Sequence, residues 1–248
     1  MKAFPSIQRI LSYMRRAVDD YTMIRENERV AVGVSGGKDS LTLLCALSEL
    51  SRFYPVPFSL CAITVDMGFP GNDFSAIEAF CQELSIEYRA VKTDIADIIF
   101  NVRKESNPCS LCARMRRGVL HGAAKEMGCT AVALGHHFDD AVETFMLNLF
   151  FEGRLGCFSP VTYLSNRDIT LIRPLIYAKE KDIEYFANHT DLPIAKNLCP
   201  EDKATERESM KLLLRDLERK NPGLRHRIFH AFTEGKIDGF RPTGRLPE

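Results

Sequence analysis

The sequence predicts a doubly wound α/β domain, with a mainly parallel five-stranded sheet, helices on both faces and a helical C-terminal extension. Three observations carry this reading. Short apolar runs alternate with longer stretches of helical period along most of the chain, as in repeated βαβ units whose strands are covered on both faces. A glycine turn, Ser35-Gly36-Gly37-Lys38-Asp39-Ser40, separates the first such run from the first helix after it. Two further polar loops, Asp66 to Asn72 and Gly135 to Asp140, follow later runs, and ligands of such sheets bind beyond the carboxyl ends of the strands.

At the N-terminus, Ile7, Ile10, Leu11 and Met14 recur at helical spacing among Lys2, Arg9, Arg15 and Arg16. This predicts an amphipathic helix within residues 1–27 and lacks the unbroken apolar core of a signal peptide. Val30 to Val34 reads as the first strand, feeding a helix through Leu41 to Leu47, and Phe58 to Val65 as the second. A helix over 73–84 leads to a third strand at 88–91. Residues 109–127 read as helix, 131–134 as the fourth strand, 139–151 as helix and 171–173 as the fifth strand. Residues 179–234 continue helical, and 235–248 form a tail with Gly and Pro but no period. At 248 residues and 45% hydrophobic content, the chain supports one substantial core, so a single domain is expected over 1–248, with 28–178 as its site-bearing part.

Lys and Arg number 33 and Asp and Glu 33, a formal net charge of zero. A globally basic nucleic-acid binder is thereby excluded, and any RNA contact must come from local clustering. No segment is long and uncharged enough to span a bilayer, which predicts a cytosolic protein without a membrane partner. In that setting eight cysteines read as free thiols rather than as a disulfide framework. Cys45, Cys61 and Cys81 sit in apolar runs, where free cysteine acts as a small hydrophobe. Cys109 and Cys112 differ, forming a C-x-x-C pair ahead of the basic segment Arg114, Arg116 and Arg117.

The glycine turn predicts a phosphate site. Gly36 and Gly37 let the backbone turn tightly beside a ligand, and the N–H groups and dipole of the new helix face the same point. Lys38 and the Ser35 and Ser40 hydroxyls complete the cradle. It is not a Walker A loop, which would need glycine at Val32 and serine or threonine at Asp39. The loop at Leu134-Gly135-His136-His137-Phe138-Asp139-Asp140 places two imidazoles and two carboxylates at a strand end just before a helix. Either carboxylate serves as a helix cap or as part of a nucleotide or Mg²⁺ site. Asp66 ends a strand near the expected nucleotide, and a loop-acceptor role fits it equally well.

With SGGKDS, LGHHFDDAVET, LFFEGRL (Leu149 to Leu155) and Ile172-Arg173-Pro174-Leu175 in this order, the chain resembles the tRNA 2-thiocytidine synthetases, the TtcA family of PP-loop ATP pyrophosphatases. The resemblance runs from about residue 30 to 199 and includes Cys109, Cys112 and the segment Asn197-Leu198-Cys199. It implies an adenine nucleotide alpha-hydrolase-like fold that uses ATP and Mg²⁺. Ser35, Gly36, Gly37, Lys38, Asp39 and Ser40 would bind nucleotide together with Asp66, Gly135, His136, His137 and Asp139. Lys38, Asp39 and Asp140 would carry the chemistry.

The resemblance further implies a 4Fe-4S cluster on Cys109, Cys112 and Cys199, with one iron left open for hydrosulfide. The substrate would be tRNA, thiolated at the 2-oxygen of an anticodon-loop cytidine, position 32. Arg114, Arg116 and Arg117 would touch RNA, with Lys211, Arg215, Arg219, Lys220, Arg225 and Arg227 assisting. Sulfur would come from a cysteine desulfurase or free sulfide, and a homodimer is one open assembly. On the residues alone, the cysteine pair also fits a structural zinc site, a persulfide-carrying pair or unrelated thiols. A uridine thiolase, a lysidine synthetase or a non-catalytic adenine-nucleotide sensor remain rival functions.

Overall fold

The computed structural model describes residues 4–103, 108–196, 198–200 and 206–235. The expected tail at 235–248 lies almost wholly outside them. Six strands and nine helices alternate among the described residues: α1 (Gln8–Tyr21), β1 (Glu28–Gly33), α2 (Lys38–Leu50), β2 (Phe58–Asp66), α3 (Ser75–Glu83), β3 (Glu87–Lys92), α4 (Ile95–Asp97), α5 (Pro108–Glu126), β4 (Ala131–Ala133), α6 (Phe138–Phe151), β5 (Val161–Leu164), β6 (Ile169–Ile172), α7 (Glu180–Asn188), α8 (Glu206–Lys220) and α9 (Leu224–Glu234). The strand order is β3-β2-β1-β4-β6-β5, parallel throughout except for β5, which runs antiparallel to β6.

The sheet therefore has six strands where the sequence predicts five. The expected fifth strand is β6, and the added one, β5, pairs with it as a hairpin edge. β5 carries no fully buried residue, so it lacks the continuous apolar run that marks a strand covered on both faces.

Alternation along the central strands sorts side chains to two cores. Val30 and Val32 of β1, Ala62 of β2, and Ala131 and Ala133 of β4 pack in a large cluster with α1, α2, α3, α6 and α7. Ala31, Cys61, Ile63 and Val132 face the opposite way, onto Leu120, Ala123 and Ala124 of α5. A period of two on the strands with both faces buried is what a crossover-covered parallel sheet requires. α1 buries Ile10, Leu11, Met14, Ala17, Val18 and Tyr21 along one stripe, as its spacing predicts. Cys45, Cys61 and Cys81 are buried, in keeping with their apolar surroundings. No helix among the described residues is long and apolar enough to cross a membrane.

β1 has β2 on one side and β4 on the other. The chain winds outward from β1 through β2 to β3, then returns to β4, which opens a crevice between the carboxyl ends of β1 and β4. The glycine turn leaves β1 and the histidine loop leaves β4 at that crevice.

Candidate active site

The glycine turn is braced from within. The Ser40 hydroxyl donates to the Gly37 carbonyl at 3.0 Å and accepts from the Ser35 amide at 3.1 Å and the Ser35 hydroxyl at 3.2 Å. Ser40 is buried, so its hydroxyl sets the loop's shape while the amides that open α2 remain available to a ligand. Gly36 has φ of +86°, and a Cβ there would meet the Ala195 Cβ at 2.7 Å. The Ala195 amide also donates to the Gly36 carbonyl at 3.0 Å. The stretch ahead of Cys199 thus lies directly on the phosphate loop.

Gly135 joins the two loops. A Cβ at this position would lie 3.2 Å from the Asp39 carbonyl carbon and from the Ser40 nitrogen. Glycine is needed because the histidine loop packs its backbone on the first turn of α2. The result brings the Asp39 and Asp140 carboxylates together: His137 Nε2 lies 3.9 Å from Asp39 Oδ1 and 3.5 Å from Asp140 Oδ2.

The four polar residues of that loop divide into distinct roles. His137 caps α6, with its Nδ1 accepting from the Asp140 amide while Asp140 Oδ2 accepts from the His137 amide at 3.0 Å, a reciprocal capping box. Asp139 points inward, accepting from the Glu180 amide at 2.7 Å and from Arg225 Nη1 at 2.8 Å. Both its oxygens are engaged in holding α7 and α9 against α6. Asp140 is the more open carboxylate, its Oδ1 paired with Arg207 at 3.2 Å. His136 turns away toward Phe158, ring centroids 5.0 Å apart. Burial, with Arg173 nearby, pushes its imidazole down to about 4, so it is neutral at physiological pH.

Asp66 closes the second loop. Its Oδ1 accepts from the Gly68 amide at 3.0 Å and from Asn72 Nδ2 at 2.8 Å, a loop-acceptor role for that oxygen.

Sequence reasoning missed a set of charges contributed by the C-terminal helices. Lys38 Nζ lies 3.0 Å from Asp39 Oδ1 and 3.2 Å from Glu180 Oε1, and Lys211 Nζ reaches the same Glu180 oxygen at 2.6 Å. Burial alone would lower the Lys38 ammonium, but Asp39 and Glu180 outweigh it and hold the group above the ordinary lysine value. Arg225 and Lys211, expected to assist RNA contact, pair with Asp139 and Glu180. Arg227 donates to the Pro222 carbonyl.

Glu143, one turn beyond Asp139 on α6, is buried and faces Arg207 at 3.7 Å and Arg225 at 3.6 Å. Burial pushes its carboxyl up to about 7, and Asp140 on its own helix and Glu180 on α7 add to the rise. Arg207 of α8 and Arg225 of α9 oppose it only in part. Between its ordinary 4.5 and about 7 the folded chain keeps a proton that the unfolded chain has lost, so stability falls as pH rises through that window. Glu143→Gln is expected to be more stable than the parent above pH 7, by up to about 3 kcal/mol, with the difference vanishing below 4.5. Urea unfolding at a series of pH values measures this.

Cys109 and Cys112 lie at the start of α5, and Cys199 follows four positions after Ala195, which touches the glycine turn. Cys109 is exposed, while Cys112 and Cys199 are half-buried. Burial raises the Cys112 thiol above its ordinary value, Arg116 opposes, and both Cys199 and Cys109 add to the rise. Cys112 sits in the second turn of α5, where the helix dipole has faded and burial prevails. Among the described residues no three His, Cys, Asp or Glu side chains are gathered as a metal-binding set. Arg114, Arg116 and Arg117 are exposed along the same helix.

The family model described as a PP-loop domain matches residues 8–215. A tRNA-cytidine(32) 2-sulfurtransferase of Pelobacter propionicus is 41% identical over 236 residues, covering 94% of this chain and 88% of that protein. Its counterpart in Geobacter metallireducens is 43% identical over 227 residues, with 90% and 88% covered. This chain belongs to the tRNA-cytidine(32) 2-sulfurtransferase family of PP-loop proteins.

Among solved structures, the U34-tRNA thiolase NcsA of Methanococcus maripaludis, determined with its 4Fe-4S cluster, superposes with a TM-score of 0.78 at 28% identity. The match covers 94% of this chain and 80% of that one. Against these sulfurtransferases and this thiolase, the alternatives of lysidine synthetase and nucleotide sensor find no support. The family resemblance also gives Arg173 of the Ile172-Arg173-Pro174-Leu175 segment a place. Its guanidinium is buried over the Phe158 ring at 4.9 Å and donates to the Ser159 carbonyl, fixing the stretch that leads into β5 behind His136.

Proposed function

We propose that this chain thiolates cytidine 32 of tRNA, consuming ATP and releasing AMP and pyrophosphate. The observation that supports this reading is the contact of Ala195, four positions before Cys199, with Gly36 of the phosphate loop, together with the influence of Cys199 and Cys109 on Cys112. On this reading nucleotide activation and sulfur chemistry would share one crevice.

The reaction replaces an oxygen that leaves poorly. In the first step the cytidine 2-oxygen attacks the α-phosphorus of ATP, the bond to the β-phosphate oxygen breaks, and pyrophosphate departs. The amides at the start of α2 and the Lys38 ammonium stabilise the charge that develops on it. Asp39 and Asp140, which face His137 from two sides, would hold Mg²⁺, whose role is to neutralise phosphate charge and orient the leaving group. In the second step sulfide adds to C2, and the activated oxygen leaves with AMP.

Cys109, Cys112 and Cys199 would hold the 4Fe-4S cluster, since soft thiols suit iron-sulfur better than a hard cation. When bound, that cluster supplies a soft iron centre for sulfur. Arg114, Arg116 and Arg117, exposed on the helix that carries Cys109 and Cys112, would take RNA phosphates. A target base must be splayed out of its loop to reach the crevice. Sulfur is drawn from a cysteine desulfurase or from free sulfide, and the protein works in the cytoplasm, where tRNA and reduced thiols coexist.

Protein purified without oxygen is expected to carry iron and sulfide, to absorb as an iron-sulfur protein, and to release pyrophosphate only when tRNA bearing C32 is added. Colourless, iron-free protein with full thiolating activity would replace the cluster by a persulfide mechanism. Equal turnover on tRNA lacking C32 would remove the substrate assignment.

A further inference from the structure

The adjacent aspartates of α6 hold two arginines in different ways. Asp139 and Arg225 are nearly buried, with 12% and 14% of their side chains exposed. Asp139 has a second partner in the Glu180 amide. Such a pair is fixed, because removing either partner strands a buried charge. Asp140 and Arg207 are 22% and 44% exposed. A partly exposed pair of that kind contributes little, so exchanging one partner costs little.

Arg207 is also tethered beside the crevice by contacts that do not depend on Asp140. Its Nη2 donates to the Thr144 hydroxyl at 3.0 Å, and its Nη1 lies 3.7 Å from Glu143 Oε2. Glu143 is only 3% exposed, and its Oε1 has no hydrogen-bond partner. One turn further along α8, on the same face, Lys211 shares Glu180 with Lys38. Lys38, Lys211 and Arg207 thus all stand on carboxylates around the phosphate loop.

We propose that Arg207, with Lys211 beside it, is a ligand of the ATP phosphates, held on Asp140 until Mg²⁺ and nucleotide arrive. The inference rests on the functional reading above and adds α8 to its site. On binding, Asp140 exchanges the guanidinium for the divalent cation, which prefers carboxylate oxygen. The freed guanidinium, still close to Glu143 and Thr144, turns its planar fork to phosphate oxygens, a geometry that a lysine ammonium lacks. No bond is made or broken, and each charge gains a partner of opposite sign.

The alternative is that Arg207 merely fastens α8 to α6. The two are separated by measuring Mg-ATP, AMP and inorganic pyrophosphate affinity by calorimetry for the parent, Arg207→Ala and Arg207→Lys, together with the melting temperature of each nucleotide-free protein. Arg207→Ala should weaken Mg-ATP and pyrophosphate binding roughly 10- to 100-fold, leave AMP binding unchanged and melt within a degree or two of the parent. Arg207→Lys should recover part of the affinity, and it serves as the comparison if the alanine variant does not fold. Hydrogen exchange over Glu206–Lys220 in the parent should change when Mg-ATP is added. Unchanged Mg-ATP affinity in both variants, or equal weakening toward AMP, overturns the proposal. A parent protein that binds no Mg-ATP would overturn the functional reading itself and this inference with it.

Discussion

Lys38→Ala is expected to lower the single-turnover rate of tRNA thiolation about 100- to 1000-fold, the range for removing one preorganised charge from a developing anion. The lysine is the first residue of α2, so its ammonium and the unpaired amides of that helix address the same point. Asp39 and Glu180 hold it in the charged form, and no proton need be acquired when pyrophosphate leaves. Removing it leaves Asp39 without its lysine partner and Glu180 with Lys211 alone, so local charge at the crevice becomes more negative and nucleotide binding weakens as well. Rapid-quench measurement of pyrophosphate and thiolated tRNA should show both falling together, with iron content unchanged because Cys109, Cys112 and Cys199 are untouched. Lys38→Arg should not restore the rate, since the ammonium fits between two carboxylates at 3.0 and 3.2 Å and a planar guanidinium does not occupy that space in the same way. Thiolation at the parent rate in Lys38→Ala would move the charge stabilisation to another group.

The parts of this architecture legible in the sequence are those whose signal is local. β1, β2 and β4 are buried on both faces and read as continuous apolar runs, and the phosphate loop is a single hexapeptide between a strand and a helix. β5 escaped because an edge strand has a half-exposed surface. The division of labour between neighbouring identical residues was also hidden. Asp139 and Asp140 differ by one step of about 100° around α6, enough to aim one at Arg225 and the α7 backbone and the other at Arg207 and the crevice. His136 and His137 separate likewise, one against Phe158 and one capping the helix. Glu180, Arg207, Lys211 and Arg225 lie 40 or more positions from the residues they serve in α6 or α2, or on helices whose only sequence signal is amphipathic, so a charged helix face was the natural reading. Gly135 and Gly36 show how a motif glycine acquires its reason only from tertiary contact, with Asp39 in one case and Ala195 in the other.

Cys112→Ser is expected to abolish thiolation and remove the iron-sulfur absorption while leaving Mg-ATP affinity at the parent value. Cys112 is half-buried on α5, and it feels both Cys109, one turn earlier, and Cys199. A serine oxygen is small and hard where a soft, polarisable thiolate is needed. Its hydroxyl also stays protonated where the thiol can ionise, so the site loses a ligand and a negative charge together. The nucleotide cradle makes none of its contacts through this side chain, because Ser35, Ser40 and Gly37 brace one another and Gly135 packs on the α2 backbone. Binding and cluster content should therefore separate. The matched control is Cys157→Ser, since Cys157 is equally half-buried but directs its thiol to the Ala141 carbonyl at 3.3 Å, inside the α6 packing. That variant should keep its iron. Full iron content with full thiolation in Cys112→Ser would exclude this cysteine from the sulfur chemistry, and loss of Mg-ATP binding along with the iron would mean that the two halves of the crevice do not fold independently.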